Sequence, residues 1–164
     1  MKRRLIIAIT VVLVGIAVSY LLWPHRTVDS VMNDFFSDDA NRAEDMLMDP
    51  LILHADLVKK RVIEEVAVRT MPKRRYAIGF LGVAGITEAL PVLRTILGDE
   101  SEEDYFRADA LESIYRIAEE EGLALASQYQ SRTNYLGWIA EGLINGSHKP
   151  FVRSYAQAAV GHHE

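Results

Sequence analysis

Residues 5–23 read LIIAITVVLVGIAVSYLLW, 19 successive residues without a charge. As a helix rising ~1.5 Å per residue, this run covers about the ~30 Å hydrocarbon core of a bilayer. In lipid the backbone must satisfy its own hydrogen bonds, so the segment is either a transmembrane helix or the apolar core of an export signal. A cleaved signal has a shorter apolar run of ~7 to 15 residues and small residues at its processing site. Cutting after Ala17-Val18-Ser19 would leave Tyr20, Leu21, Leu22 and Trp23 as a greasy new terminus. Tyr20 and Trp23 suit the water interface instead, with Pro24, His25 and Arg26 as the exit, which predicts an uncleaved anchor. Lys2, Arg3 and Arg4 precede the span and only Arg26 closely follows it, so the amino terminus is expected in the cytoplasm. The chain is then expected in the inner (plasma) membrane as a single-pass protein, with its C-terminal domain periplasmic, as in a bacterium, or extracellular. Gly15 and Ser19 form one small-xxx-small pair, which would let two such helices approach as a homodimer.

The division predicted is residues 1–26 as cytoplasmic tip and transmembrane signal anchor, and residues 27–164 as a single folded domain. The chain has 164 residues, so two large domains are excluded. It has no cysteine, which removes disulfides, thiolate nucleophiles and cysteine metal sites together. Setting aside Lys2, Arg3 and Arg4 leaves 15 basic against 23 acidic side chains, a net charge of −8. So acidic a domain is repelled by phosphate backbones, and nucleic acid is not an expected partner.

Beyond Arg26 apolar residues recur at three and four spacings, which predicts an all-α domain. Residues 27–36 read as a short helix with Val28, Val31, Met32, Phe35 and Phe36 on one side. A second helix is expected over residues 39–48, stopping at Asp49-Pro50, and a third over residues 55–70. The third carries Leu57, Val58, Val62, Ile63, Val66 and Ala67 as its apolar stripe. A helix over residues 73–85 ends at Gly85; Thr87 is expected to cap the next, with Pro91 in its first turn. Residues 101–104 suggest a capping box for a helix through Glu121, and Gly122 is expected to turn the chain. Helical pieces over residues 122–130, 134–145 and 150–160 would follow.

Arg74, Ala77 and Leu81 correspond to Arg107, Ala110 and Ile114 at a constant shift of 33 residues. Such a shift marks stacked helix hairpins, whose apolar faces are covered only by their neighbours. Residues 74–117 resemble HEAT repeats of the short bacterial kind, through Arg74, Ala77 and Leu81, the glycine turn at Gly85 and the Glu-Ala-Leu-Pro start ending at Pro91. The resemblance implies a short α-solenoid of helical hairpins. It also implies that Asp99 and Arg107 tie neighbouring repeats. HEAT arrays are mostly binding scaffolds; a subset of relatives takes part in attaching bilin pigments or in modification chemistry.

Chemistry is hard to find. His25, His54, His148, His162 and His163 show neither the His-Glu-x-x-His spacing nor an i,i+4 pair. The acidic residues 99–104 lack the glycine and glutamate of a calcium loop. Residues 82–85 have the letters of a GXXG clamp but fall at a helix end. No catalytic, cofactor or metal site is read, and the chain is expected not to be an enzyme. Lys59, Lys60, Arg61, Lys73, Arg74 and Arg75 gather basic charge at one junction, a candidate surface for a protein partner. With Glu64 and Glu65 in pairing reach, the same residues also read as a solvated face. Aromatic residues concentrate in the last third, where exposed ones would serve as interface anchors. The functional expectation is a membrane-anchored scaffold or adaptor that binds another protein. An inhibitor or immunity protein against a periplasmic toxin is the second reading, and a lyase-like helper the third.

Overall fold

The computed structural model describes residues 26–38, 43, 46–148 and 156. The described residues are helical, with no strand among them. Eight α-helices follow in order: α1 (Val28–Phe36), α2 (Asp49–Leu53), α3 (Ala55–Val66), α4 (Arg74–Val83), α5 (Leu90–Gly98), α6 (Asp104–Ile117), α7 (Glu119–Tyr129) and α8 (Tyr135–Ile144). No helix among these residues is long and apolar enough to cross a membrane. The anchor expected over residues 5–23 lies outside the described residues, as do most of the helix expected over 39–48, the piece over 150–160 apart from the helical Ala156, and His162 and His163.

Helix α1 starts with a reciprocal cap: the Ser30 amide donates to Thr27 Oγ1 and the Thr27 amide to Ser30 Oγ. Its Val31, Met32 and Phe35 are buried. Pro50 stands in the first turn of α2. Its missing N–H falls in the first turn, where no intrahelical acceptor is available anyway. Helix α3 buries Val58, Val62 and Val66, a narrower stripe than the sequence suggests, because Leu57 and Ala67 face solvent. It stops at Val66, short of residue 70, and the Val66 carbonyl accepts from Arg74 Nε at 2.7 Å.

From α4 onward the helices form two rows, with α4, α6 and α8 side by side in one and α5 and α7 packed against them in the other. Phe80, Leu81, Leu93, Leu97, Leu111, Ile114 and Leu136 are fully shielded between the rows. Each such side chain contributes about 1.5–3 kcal/mol by leaving water. Helices α1 to α3 cover the open side of α4, and Lys73 Nζ ties the end of α1 to its start by donating to the carbonyls of Phe35 and Ser37 at 3.1 and 2.6 Å.

The 33-residue correspondence has a physical counterpart. Arg74 and Arg107 are only 3% and 2% exposed. Arg74 Nε donates to the Val66 carbonyl, and Arg107 Nε to that of Leu97 at 2.9 Å, so each closes the carbonyl end of the helix before its own. Each guanidinium also lies over a later aromatic ring, Phe106 at 4.8 Å and Tyr129 at 5.6 Å. Ala77 and Ala110, and Leu81 and Ile114, are completely buried at matching places.

Several local expectations are corrected. Thr87 does not cap α5 but opens a 3-10 turn, Thr87–Ala89, before Pro91 enters the first turn of α5. The capping box over residues 101–104 does not form: Glu103 precedes α6 without a side-chain cap, and the Ser101 hydroxyl donates to Asp99 instead. The turn expected at Gly122 falls at Ala118, and Gly122 lies buried inside α7 against the backbone of Tyr115. Glycine is required there by close approach rather than by a turn. Gly85 does end α4, with φ of +63°.

Candidate interaction surface

The six basic residues do not combine into one field. Arg74 is buried, its Nη1 2.6 Å from Glu102 Oε2. Lys73 is spent on the end of α1. Lys59 Nζ lies 3.2 Å from Glu88 and 3.6 Å from Asp56, and Arg61 pairs with Glu65 one turn along α3. Arg75 holds Asp109 through two hydrogen bonds of 2.6 and 2.8 Å. Lys60 is exposed without an ionic partner among the described residues. Asp99 does not reach Arg107: its carboxylate takes Arg69, while the acidic partner of Arg107 among the described residues is Asp104, at 3.8 Å. The contact between units is therefore made by Arg69, whose guanidinium also meets the Ser101 hydroxyl at 2.6 Å.

A different surface emerges across α4, α6 and α8. Asp109 on α6 fixes the Arg75 guanidinium, which lies over the rings of Tyr105 at 5.2 Å and Tyr135 at 6.0 Å. Tyr135 in turn meets Trp138, one turn along α8, with ring centroids 5.8 Å apart. Tyr135 is 40% and Trp138 66% exposed. A large aromatic side chain held so far into water, beside a laterally braced neighbour, is the usual composition of an interface anchor. Helix α8 itself is rigidly seated. The Asn134 carboxamide accepts from the Gly137 amide and donates to Asp104 at 2.7 Å, while Leu136, Ile139, Ala140 and Leu143 are buried beneath. The sequence concentrates aromatic residues in this region; the i,i+3 spacing of Tyr135 and Trp138 is the one local signal that the two share a helix face, whereas Arg75 reads as part of the basic group.

At the far end of α8, His148 Nε2 lies 3.2 Å from Glu112 Oε2, and Arg116 holds the same carboxylate at 2.8 Å. The backbone amide of His148 donates to the Gly142 carbonyl at 2.9 Å, so this ion pair fastens the segment after α8 onto α6. Burial by itself would raise the Glu112 pKa, but contact with His148 and Arg116 outweighs it and holds the carboxyl down at about 2. The Glu112 carboxylate raises His148 against burial and Arg116. Because the folded-state pKa of His148 lies above its unfolded value of ~6.5, its stabilising contribution is complete below about pH 6.5 and fades as pH rises through the raised value. Glu112 works in the opposite sense: its contribution is complete above about pH 4.5 and lost only as pH falls toward 2. A His148→Asn variant is therefore expected to melt below the parent protein at pH 5.5 and to converge with it at pH 9, as read by paired thermal denaturation.

Among the described residues no group of three or more His, Cys, Asp or Glu side chains is placed to hold a metal ion. The chain matches no protein-family model, no curated protein and no solved structure.

Proposed function

We propose that this chain is a membrane-anchored, HEAT-like helical-repeat scaffold that binds another protein through the aromatic edge of α4, α6 and α8. The single observation that carries the reading is Trp138, mostly in solvent yet mounted on a helix whose other face is buried, beside Tyr135 and the Arg75–Asp109 pair. Such an anchor loses little conformational freedom on binding, which favours association at modest contact area. Support for the repeat reading comes from the twofold use of a buried arginine at Arg74 and Arg107 and from the row of α4, α6 and α8. The anchor over residues 5–23 would hold the domain at the membrane with its amino terminus in the cytoplasm, and the binding face would then work outside it.

The test is co-purification of the full chain from membranes after mild crosslinking, comparing the parent with Trp138→Ala and with Lys59→Glu/Lys60→Glu. A stoichiometric protein partner is expected with the parent, lost with Trp138→Ala and kept with the lysine pair. Retention by Trp138→Ala, or no protein partner at all, contradicts the reading.

A further inference from the structure

The aromatic edge lies in a strongly acidic part of the sequence. Residues 99–148 carry eleven acidic side chains against three basic ones. Much of that excess is answered from earlier helices: Arg69 meets Asp99, Arg74 meets Glu102, Arg75 meets Asp109 and Arg94 meets Glu121. Glu100, Asp104 and Glu112 have Arg132, Arg107 and Arg116. Glu103, Glu119, Glu120 and Glu141 remain without a cationic partner among the described residues, and all four are exposed.

Two of these four border the aromatic edge. Glu141 follows Trp138 by three residues on α8, and side chains at that spacing are neighbours on a helix surface. Glu103 contacts the Tyr105 hydroxyl, whose pKa it raises. Arg75, the cation already present, is consumed by Asp109 and by the faces of Tyr105 and Tyr135, which leaves Trp138 as the open aromatic face of the edge, with Glu141 one turn along α8 and Glu103 beside Tyr105, where the Asn134–Asp104 contact joins the starts of α8 and α6; neither glutamate has a cationic partner among the described residues. An indole face attracts a cation, and so do the glutamates of the same edge. An acidic or neutral segment would gain nothing from Glu103 and Glu141, whereas a lysine- or arginine-bearing one would satisfy both and cover the indole.

We propose that the segment received at Trp138 is basic: a lysine- or arginine-containing stretch of a partner protein, one cation lying on the Trp138 ring and others meeting Glu141 and Glu103. The inference rests on the protein-binding reading above and narrows it to the chemistry of the partner. Because Trp23 is the other tryptophan of the chain, a Trp23→Phe background makes Trp138 the sole reporter.

The experiment titrates this full-length protein, held in detergent or nanodiscs, with hexalysine and with fully acetylated hexalysine as its neutral analogue, following indole fluorescence and, independently, the anisotropy of a labelled peptide. Hexalysine is expected to saturate, to weaken with added salt and to bind well above the acetylated peptide. Glu103→Gln/Glu141→Gln should weaken it about fivefold, and Trp138→Ala about tenfold by anisotropy. The comparison pair Glu119→Gln/Glu120→Gln, also exposed and unpaired, should leave affinity unchanged. Equal binding of the two peptides, no saturable binding of hexalysine, or equal weakening by both glutamine pairs overturns the proposal; the last result would mean unspecific attraction to an acidic protein. If a partner is captured through Trp138 but its contacting segment, mapped from the crosslink, has no lysine or arginine, the basic-segment inference fails and the scaffold reading stands. If no partner depends on Trp138, the scaffold reading itself fails.

Discussion

Arg74→Met is expected to destabilise the protein by about 3 kcal/mol, the lower end of what removal of one partner from a buried ion pair costs. The side chain of Glu102 is only 6% exposed and would be left with Arg69 Nε, at 3.9 Å, as its cation among the described residues. The Val66 carbonyl would lose its donor, and Phe106 the cation above its ring. Adding Glu102→Gln should recover part of the loss, because the stranded charge is removed. Arg107→Met is the informative comparison. Its acidic partner Asp104 is 3.8 Å away and partly solvated, so the principal loss is the hydrogen bond to Leu97, about 1–2 kcal/mol. Urea denaturation of the three variants and the parent measures both differences, and equal costs at Arg74 and Arg107 would show that burial of Glu102 is not the deciding factor.

The second large effect lies at Gly82. A Cβ there would stand 2.6 Å from the Cα of Ser113, whose hydroxyl is committed to the Ile78 carbonyl at 3.0 Å. Neither group can step aside without separating α4 from α6. Gly82→Val should therefore cost about 3 kcal/mol, the upper range for overpacking a filled interior, and lower the melting temperature by roughly 10 °C. Gly122 is in the same position on the other side of α6, against Tyr115. Gly98 at the end of α5 has nothing within 4 Å of an added Cβ, and Gly98→Ala should be neutral or stabilising by up to about 1 kcal/mol. If Gly82→Val melts with the parent, the close contact of α4 and α6 is wrong.

These two predictions show where the sequence was readable. The helical periodicity was clear because each helix hides one face, and Arg74, Ala77 and Leu81 could be matched to Arg107, Ala110 and Ile114 because a repeated packing problem selects the same side chains. Boundaries were less legible. Gly122 has the letter of a turn but the environment of a helix contact, and a glycine required by a neighbour's backbone looks like one required by positive φ until the neighbour is placed. Ser101 had the spacing of a cap, but Asp99 and Arg69, the latter some thirty residues back, compete for its hydroxyl. Charge was the least legible feature. Lys59, Lys60, Arg61, Lys73, Arg74 and Arg75 cluster in sequence, yet the fold sends them to Glu88, Glu65, the end of α1, Glu102 and Asp109, leaving Lys60 in water. The candidate surface was hidden for the same reason. It joins Arg75, Tyr105, Asp109, Tyr135 and Trp138 from three helices, and no local pattern announces a juxtaposition made by the stacking of α4, α6 and α8.

The central claim is that a protein partner sits on Trp138. It is tested most directly by placing a photo-crosslinking amino acid at position 138 of the full chain in intact cells, with position 68 as the comparison, since Val68 is also an exposed apolar residue, just beyond the end of α3, and is not one of the residues of the aromatic edge. The account predicts a discrete adduct to one protein from position 138 and none from position 68. Adducts of equal yield from both positions, or only lipid adducts from position 138, would contradict it.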